Sequence, residues 1–223
     1  MIQIIQTRIR FLLGILLLLT STISFACVDF RTLNPSPIVI PSRRIVVLGD
    51  SIAVGFGLQP KDTWVSLLSE QLVKEKHFFY RVINSSTNAR TARDLAASAY
   101  QILQKNQPDI VIIEIGGNDG LRRYPVSQIE KNISRIIELA KQKNAKVLLL
   151  GFQLPLNYPE DYRSDFYAMY QRLQKAHQIV LVDFFFEHIV NQPGMFQGDG
   201  IHPTEKAQPL LLEAVWPVLK PML

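Results

Sequence analysis

From Arg43 onward the chain switches repeatedly between short runs of consecutive apolar residues and longer stretches in which apolar residues recur every three to four positions. The runs "RIVVLGD" (44–50), "YRVINSS" (80–86), "DIVIIEIGGND" (109–119), "AKVLLLGF" (145–152) and "QIVLVDFF" (178–185) read as strands apolar on both faces. The stretches between them predict helices over 62–76, 91–106, about 127–143 and about 162–177, with a last helix at the C-terminus. Trp64, Leu67, Leu68 and Leu72 share one face of the first, with Asp62 or Thr63 as its cap. Ile129, Ile133, Ile136, Ile137 and Ala140 share one face of the third. In the last helix Pro209 and Pro217 are expected to kink or shorten the run. Strands and helices in alternation predict an α/β fold in which helices cover both faces of a five-stranded parallel sheet.

Before Arg43 the pattern is different. Arg8 and Arg10 precede an apolar run from Phe11 to Leu19, and a polar stretch follows that ends in Ser24-Phe25-Ala26. This is the order of an export signal over 1–26; a membrane-spanning anchor is the other reading, for which the run is short. Cys27 is the single cysteine, so it closes no internal disulfide. It stands where a bacterial lipoprotein carries its lipidated residue, and otherwise is a free thiol near a mature N-terminus. Pro35, Pro37 and Pro41 exclude a helix or a central strand over 28–42, leaving a tether over 27–42 and a single domain over 43–223.

Charge and composition narrow the partners. The formal charge of +5 falls to +3 when Arg8 and Arg10 leave with the signal, and the remaining cations are scattered, which argues against nucleic acid. With 223 residues, 48% of them hydrophobic, the chain suffices for one core.

In an open parallel sheet, ligands bind beyond the carboxyl ends of the strands. Three strands end there in polar turns, at Gly49-Asp50-Ser51, Asn84-Ser85-Ser86 and Gly116-Gly117-Asn118-Asp119-Gly120. The first turn has no phosphate-loop lysine, and Asp50 would repel phosphate, so it is better suited to exposing Ser51. A serine hydroxyl needs a base to take its proton and a third group to orient that base. "GDGIHPT" (198–204) holds both, Asp199 and His202 three residues apart, with Thr204 placed to cap the last helix. His77, His177 and His188 lie on or beside helices and read as surface residues. Asn118 offers an amide donor for charge developing on a carbonyl oxygen.

With these stretches in view, "GDSIAVGFG", "IEIGGNDGLR" and "DGIHPT" resemble the first, third and fifth blocks of the SGNH (GDSL) hydrolase family, nearest its bacterial thioesterase and lysophospholipase branch. The likeness runs from about Arg43 to Pro221 and includes "LPLNY" (154–158) and "KAQPLL" (206–211). It implies a flavodoxin-like three-layer α/β/α sandwich, with Ser51 as nucleophile, His202 as base and Asp199 as its orienting acid. Asn118 and the Ser51 N–H would stand in the oxyanion hole. The family's second block carries a glycine whose N–H completes that hole; the matching position here is Ala89, which is strained if the turn needs positive φ.

These residues predict a metal-independent, cofactor-free serine hydrolase of esters or thioesters, and the resemblance implies acyl substrates such as lysophospholipids, fatty acyl thioesters or aryl esters. The loop 152–162, with Leu154, Pro155, Asn157 and Tyr158, is expected to line the acyl groove. Two alternatives stay open at this stage: a carbohydrate O-acetylesterase using the same triad, and a non-catalytic binding module on the same fold. The expected partner is a small molecule, with membrane association only through a lipid on Cys27; the oligomeric state is left open.

Overall fold

A computed structural model of the chain describes residues 42–223. The export signal, Cys27 and the tether other than Ser42 lie outside the described residues. The body runs β1 (Arg43–Gly49), α1 (Ser51–Val54), α2 (Trp64–Lys74), β2 (Tyr80–Asn84), α3 (Ala92–Asn106), β3 (Ile110–Glu114), α4 (Gly117–Leu121), α5 (Val126–Gln142), β4 (Lys146–Leu150), α6 (Glu160–His177), β5 (Val180–Val182) and α7 (Gln208–Leu219). All strand pairs are parallel, in the order β2-β1-β3-β4-β5. The expected strands and major helices are therefore present, their ends shifted by a few residues.

The sheet order reverses direction after β2, so right-handed crossovers put α2 on one face and α3, α5 and α6 on the other, and α7, which follows the last strand, joins α2. The packing follows: α2 lies on α7, α3 on α5, and α5 on α6. Ile45 to Leu48 of β1 and Ile110 to Ile113 of β3 are buried, as central strands covered on both sides must be. The apolar stripe of α5, Ile129, Ile133, Ile136, Ile137 and Ala140, is buried throughout. On α2, Trp64, Val65, Leu68 and Leu72 are buried. Leu67, expected in that stripe, is only half-buried, in a groove it shares with Trp216 and Pro217 of α7.

Helix starts follow local chemistry. Thr63, not Asp62, caps α2 by accepting from the Ser66 N–H, and Thr91 and Asp94 form a reciprocal box at the start of α3. Neither proline breaks α7. Pro209 sits in the first turn, where no N–H is needed, and Pro217 sits in the last turn, two residues before the helix stops at Leu219. Thr204 does not cap α7: a 3₁₀ turn (Glu205–Ala207) intervenes, and its hydroxyl donates to the Gly194 carbonyl at 2.9 Å. No described helix is long and apolar enough to cross a membrane.

Candidate active site

The chain leaves β1 at Gly49 and turns at once into the single-turn helix α1, which places Ser51 at the carboxyl end of a central strand. Asp50 makes the turn: its Oδ1 accepts from the Ile52 N–H at 3.0 Å. The side chain of Glu114, at the end of neighbouring β3, lies under the turn, and its Oε2 accepts from the N–H groups of Asp50 (3.2 Å) and Ala53 (3.1 Å). A Cβ on residue 49 would sit 2.5 Å from that oxygen and 2.8 Å from the Ala53 Cβ, so glycine is required there. On the other side the Asn84 amide donates to the Ala53 carbonyl at 2.6 Å and ties β2 to the same helix.

His202 reaches the site from a loop 151 residues away. Its Nε2 lies 2.9 Å from Ser51 Oγ, and its Nδ1 lies 2.6 Å from Asp199 Oδ2. Asp199 Oδ1 also accepts the N–H groups of Ile201 (2.9 Å) and His202 (3.0 Å), so one carboxylate fixes both the ring and the backbone that carries it. These bonds, the one to His202 foremost, lower the Asp199 carboxyl to about 2. A Nδ1–H held by Asp199 leaves Nε2 with its lone pair toward the serine hydroxyl. Two further contacts hold the loop. Gln197 donates to the carbonyls of Phe56 (2.7 Å) and Pro203 (3.1 Å), and the Phe56 ring stands 4.5 Å from the His202 ring.

Asn118 lies in the first turn of α4, which starts from Gly116 at φ +110°. Its Nδ2 donates to Asp50 Oδ2 at 3.0 Å. An amide nitrogen carries two hydrogens, so the second is free to point at a ligand. Asp119 turns the other way and accepts the Ala92 N–H at 2.9 Å, joining this turn to the start of α3. Ala89 sits in the turn after β2 at φ +58°, closed by the Arg90 N–H on the Thr87 carbonyl at 3.3 Å. The glycine-like conformation is therefore present, and alanine carries its strain, about 1 to 2 kcal/mol. Among the described residues neither the Ser51 N–H nor the Ala89 N–H has a hydrogen-bond partner.

The structure thus brings Ser51, Asp199, His202 and Asn118 together and sets Ala89 on the neighbouring turn. It places the expected groove loop less uniformly. Leu154 is buried against Phe166 and the Gly120 turn, whereas Pro155, Leu156 and Asn157 are exposed. Tyr158 donates to the Leu121 carbonyl at 2.8 Å, which docks the loop beside the Asn118 turn. His77, His177 and His188 take no part; His177 bonds Ser134 at 2.8 Å.

Glu114 and the supporting pair Gln197 and Phe56 were not singled out from the sequence. For Glu114 a signal exists, a lone acid in the otherwise unbroken apolar run 110–115. Its carboxyl is fully buried, and burial, reinforced by the adjacent Asp50 charge, pushes its pKa well above the ordinary carboxylate range. Burial likewise pushes Asp50 up, to about 6.

Residues 47–209 match the GDSL-like Lipase/Acylhydrolase family. The chain is 42% identical over 182 residues to Esterase TesA of Pseudomonas aeruginosa, covering 82% of this chain and 90% of that protein. It is 33% identical over 178 residues to the Thioesterase 1/protease 1/lysophospholipase L1 of Escherichia coli K12, covering 80% and 84% of the two chains. A crystal structure of TesA superposes with a TM-score of 0.79 at 42% identity, over 81% of this chain and the whole of that one.

Proposed function

This chain belongs to the GDSL-like lipase/acylhydrolase family and is a serine esterase/thioesterase; from that premise we propose that Ser51, His202 and Asp199 carry its reaction through an acyl-enzyme. The observation that carries the proposal is the relay from Asp199 Oδ2 to His202 at 2.6 Å and from His202 to Ser51 Oγ at 2.9 Å.

His202 Nε2 takes the hydroxyl proton as Ser51 Oγ bonds to the acyl carbon. The carbonyl oxygen becomes negative and is received by the Ser51 N–H, the Ala89 N–H and the second hydrogen of Asn118 Nδ2. His202 then passes its proton to the leaving alkoxide or thiolate as the bond to carbon breaks. A water molecule, its proton taken by the same nitrogen, attacks the acyl group, and collapse returns the proton to Ser51 and frees the acid. Asp199 stays ionised throughout, because its carboxyl is held near 2.

The substrates we propose are acyl esters and thioesters of medium or long chain, lysophospholipids included. Support comes from the names of the two relatives, esterase and thioesterase/lysophospholipase, and from the exposed apolar side chains of Phe56, Leu156 and Ile201, which stand on three of the loops around the site. Residues 1–26 would export the chain to the periplasm, and Cys27 would take a lipid there, both on the strength of the sequence.

Hydrolysis of p-nitrophenyl esters from acetyl to palmitoyl, with acyl thioesters and a lysophospholipid in parallel, tests the reading. Turnover that peaks beyond butyryl and disappears in Ser51→Ala is the expected result. Turnover confined to acetyl would move the assignment to a carbohydrate O-acetylesterase, and none on any acyl group would leave a binding module.

A further inference from the structure

We infer that the end of the body opposite Ser51 is a docking surface for an anionic lipid bilayer, centred on Phe78 and Phe79 and the unpaired cations beside them. In a parallel sheet all strands start at one end and finish at the other. Ser51 and Asn118 follow the finishing ends of β1 and β3, whereas the loop from α2 to β2 leads into a starting end. That loop leaves Phe78 67% and Phe79 50% exposed, and Val73, in the last turn of α2, 60% exposed.

The display is fixed rather than frayed. The Arg43 N–H donates to the Phe79 carbonyl at 2.7 Å, the His77 N–H to Leu72 at 2.8 Å, and the Tyr80 N–H to His77 at 3.0 Å. Three large apolar side chains within seven residues, held in water by a pinned backbone, are not explained by the core of this fold. Such clusters mark an interaction surface.

The free charges nearest to them along the chain are cations. Lys74, Lys76, Arg81 and Lys105 are exposed and make no hydrogen bond or ion pair among the described residues. Two carboxylates at this end are engaged: Glu75 with Lys220 at 2.8 Å, and Asp109 with the Arg44 N–H at 2.7 Å. Lys74 and Lys105 stand in the last turns of their helices, where the helix dipole favours cations. That reason does not extend to Lys76 in the loop, to Arg81 in the edge strand, or to the two phenylalanines. Apolar rings flanked by free cations match the boundary of an anionic bilayer, where the rings enter the headgroup layer and the cations meet lipid phosphates.

The body begins at this end, with Ser42 and Arg43. Docked this way, the site faces away from the bilayer and takes acyl substrates from solution.

Residues 42–223 suffice for the test, because they contain all five strands and the core, and a share of the chain no larger than theirs covers the whole of the solved TesA chain. Flotation with vesicles of phosphatidylglycerol and phosphatidylcholine, against phosphatidylcholine alone, is measured at low salt in a Ser51→Ala background, which prevents hydrolysis. The expected result is flotation only with phosphatidylglycerol, weakened at least tenfold in Phe78→Ser/Phe79→Ser and in Lys74→Glu/Lys76→Glu/Arg81→Glu. With Ser51 restored, both variants should turn over p-nitrophenyl butyrate at the parent rate, which reports an intact fold. No flotation with phosphatidylglycerol overturns the inference. So does flotation that survives loss of the two phenylalanines, and in that case equal retention by duplex DNA would mark a general polyanion face.

Discussion

Ser51 Oγ and His202 Nε2 stand 2.9 Å apart although 151 residues separate them. The packing of α2 and α7 on the same face of the sheet makes this possible, because Ser51 precedes one helix and His202 the other. The two side chains act as a unit, so their removal should not be additive. Ser51→Ala and His202→Ala should each lower kcat by roughly 10⁴ to 10⁶, and the double variant should be no slower than the worse single one. Steady-state turnover of p-nitrophenyl butyrate by the three variants checks this; an additive double variant would separate the residues' roles.

Asp199 fixes the His202 tautomer, and Asp199→Asn should cost about 10⁴ in kcat, the size seen when a protease triad loses its acid. The pH dependence follows from the lowered carboxyl. Stability from the ionised Asp199 is complete above the ordinary value near 3.8 and is lost as pH falls toward about 2. Urea midpoints of wild type and Asp199→Asn should therefore converge below pH 4, and curves that remain parallel from pH 5 to 2 would refute the assignment.

Asn118 is proposed to act only when charge develops on the substrate oxygen. Asn118→Ala should lower kcat by about 10² to 10³ with KM nearly unchanged. A rise in KM at constant kcat would place the amide in ground-state binding instead.

The raised Asp50 carboxyl reverses the usual sign. Between 3.8 and about 6 the native protein holds a proton there that the unfolded chain has released, so its contribution to stability falls as pH rises across that window and is level above it. Asp50→Asn has no such titration. The stability of wild type relative to this variant should fall from pH 4 to pH 6.5 and then stay constant, as measured by chemical denaturation at each pH.

Ala89 occupies a left-handed conformation at φ +58°. Ala89→Gly should raise stability by about 0.5 to 1 kcal/mol, the relief of that strain less the added entropy of the unfolded chain. Its N–H is retained, so kcat should stay within about threefold. A loss of stability on this substitution would mean that the alanine is unstrained.

The pattern of apolar residues determined the elements and their order by itself, since runs such as Ile110–Ile113 and stripes such as Ile129 to Ala140 have one physical outcome in a layered α/β body. The short motif around Asp199 and His202 was also legible, because partners three residues apart meet locally. Three features were decided elsewhere. That Thr204 serves Gly194 rather than α7 depends on where the loop from Gly194 to Gly198 runs. That Pro209 and Pro217 leave α7 whole depends on their falling in its two terminal turns. Glu114 under the turn at Ser51 depends on the register of β3 beside β1, which sets Glu114 opposite Gly49. Local propensity and spacing act over a few residues and can be read along the chain. A side chain's partner across the sheet is set by register and layer packing, which exist only once the whole core has formed.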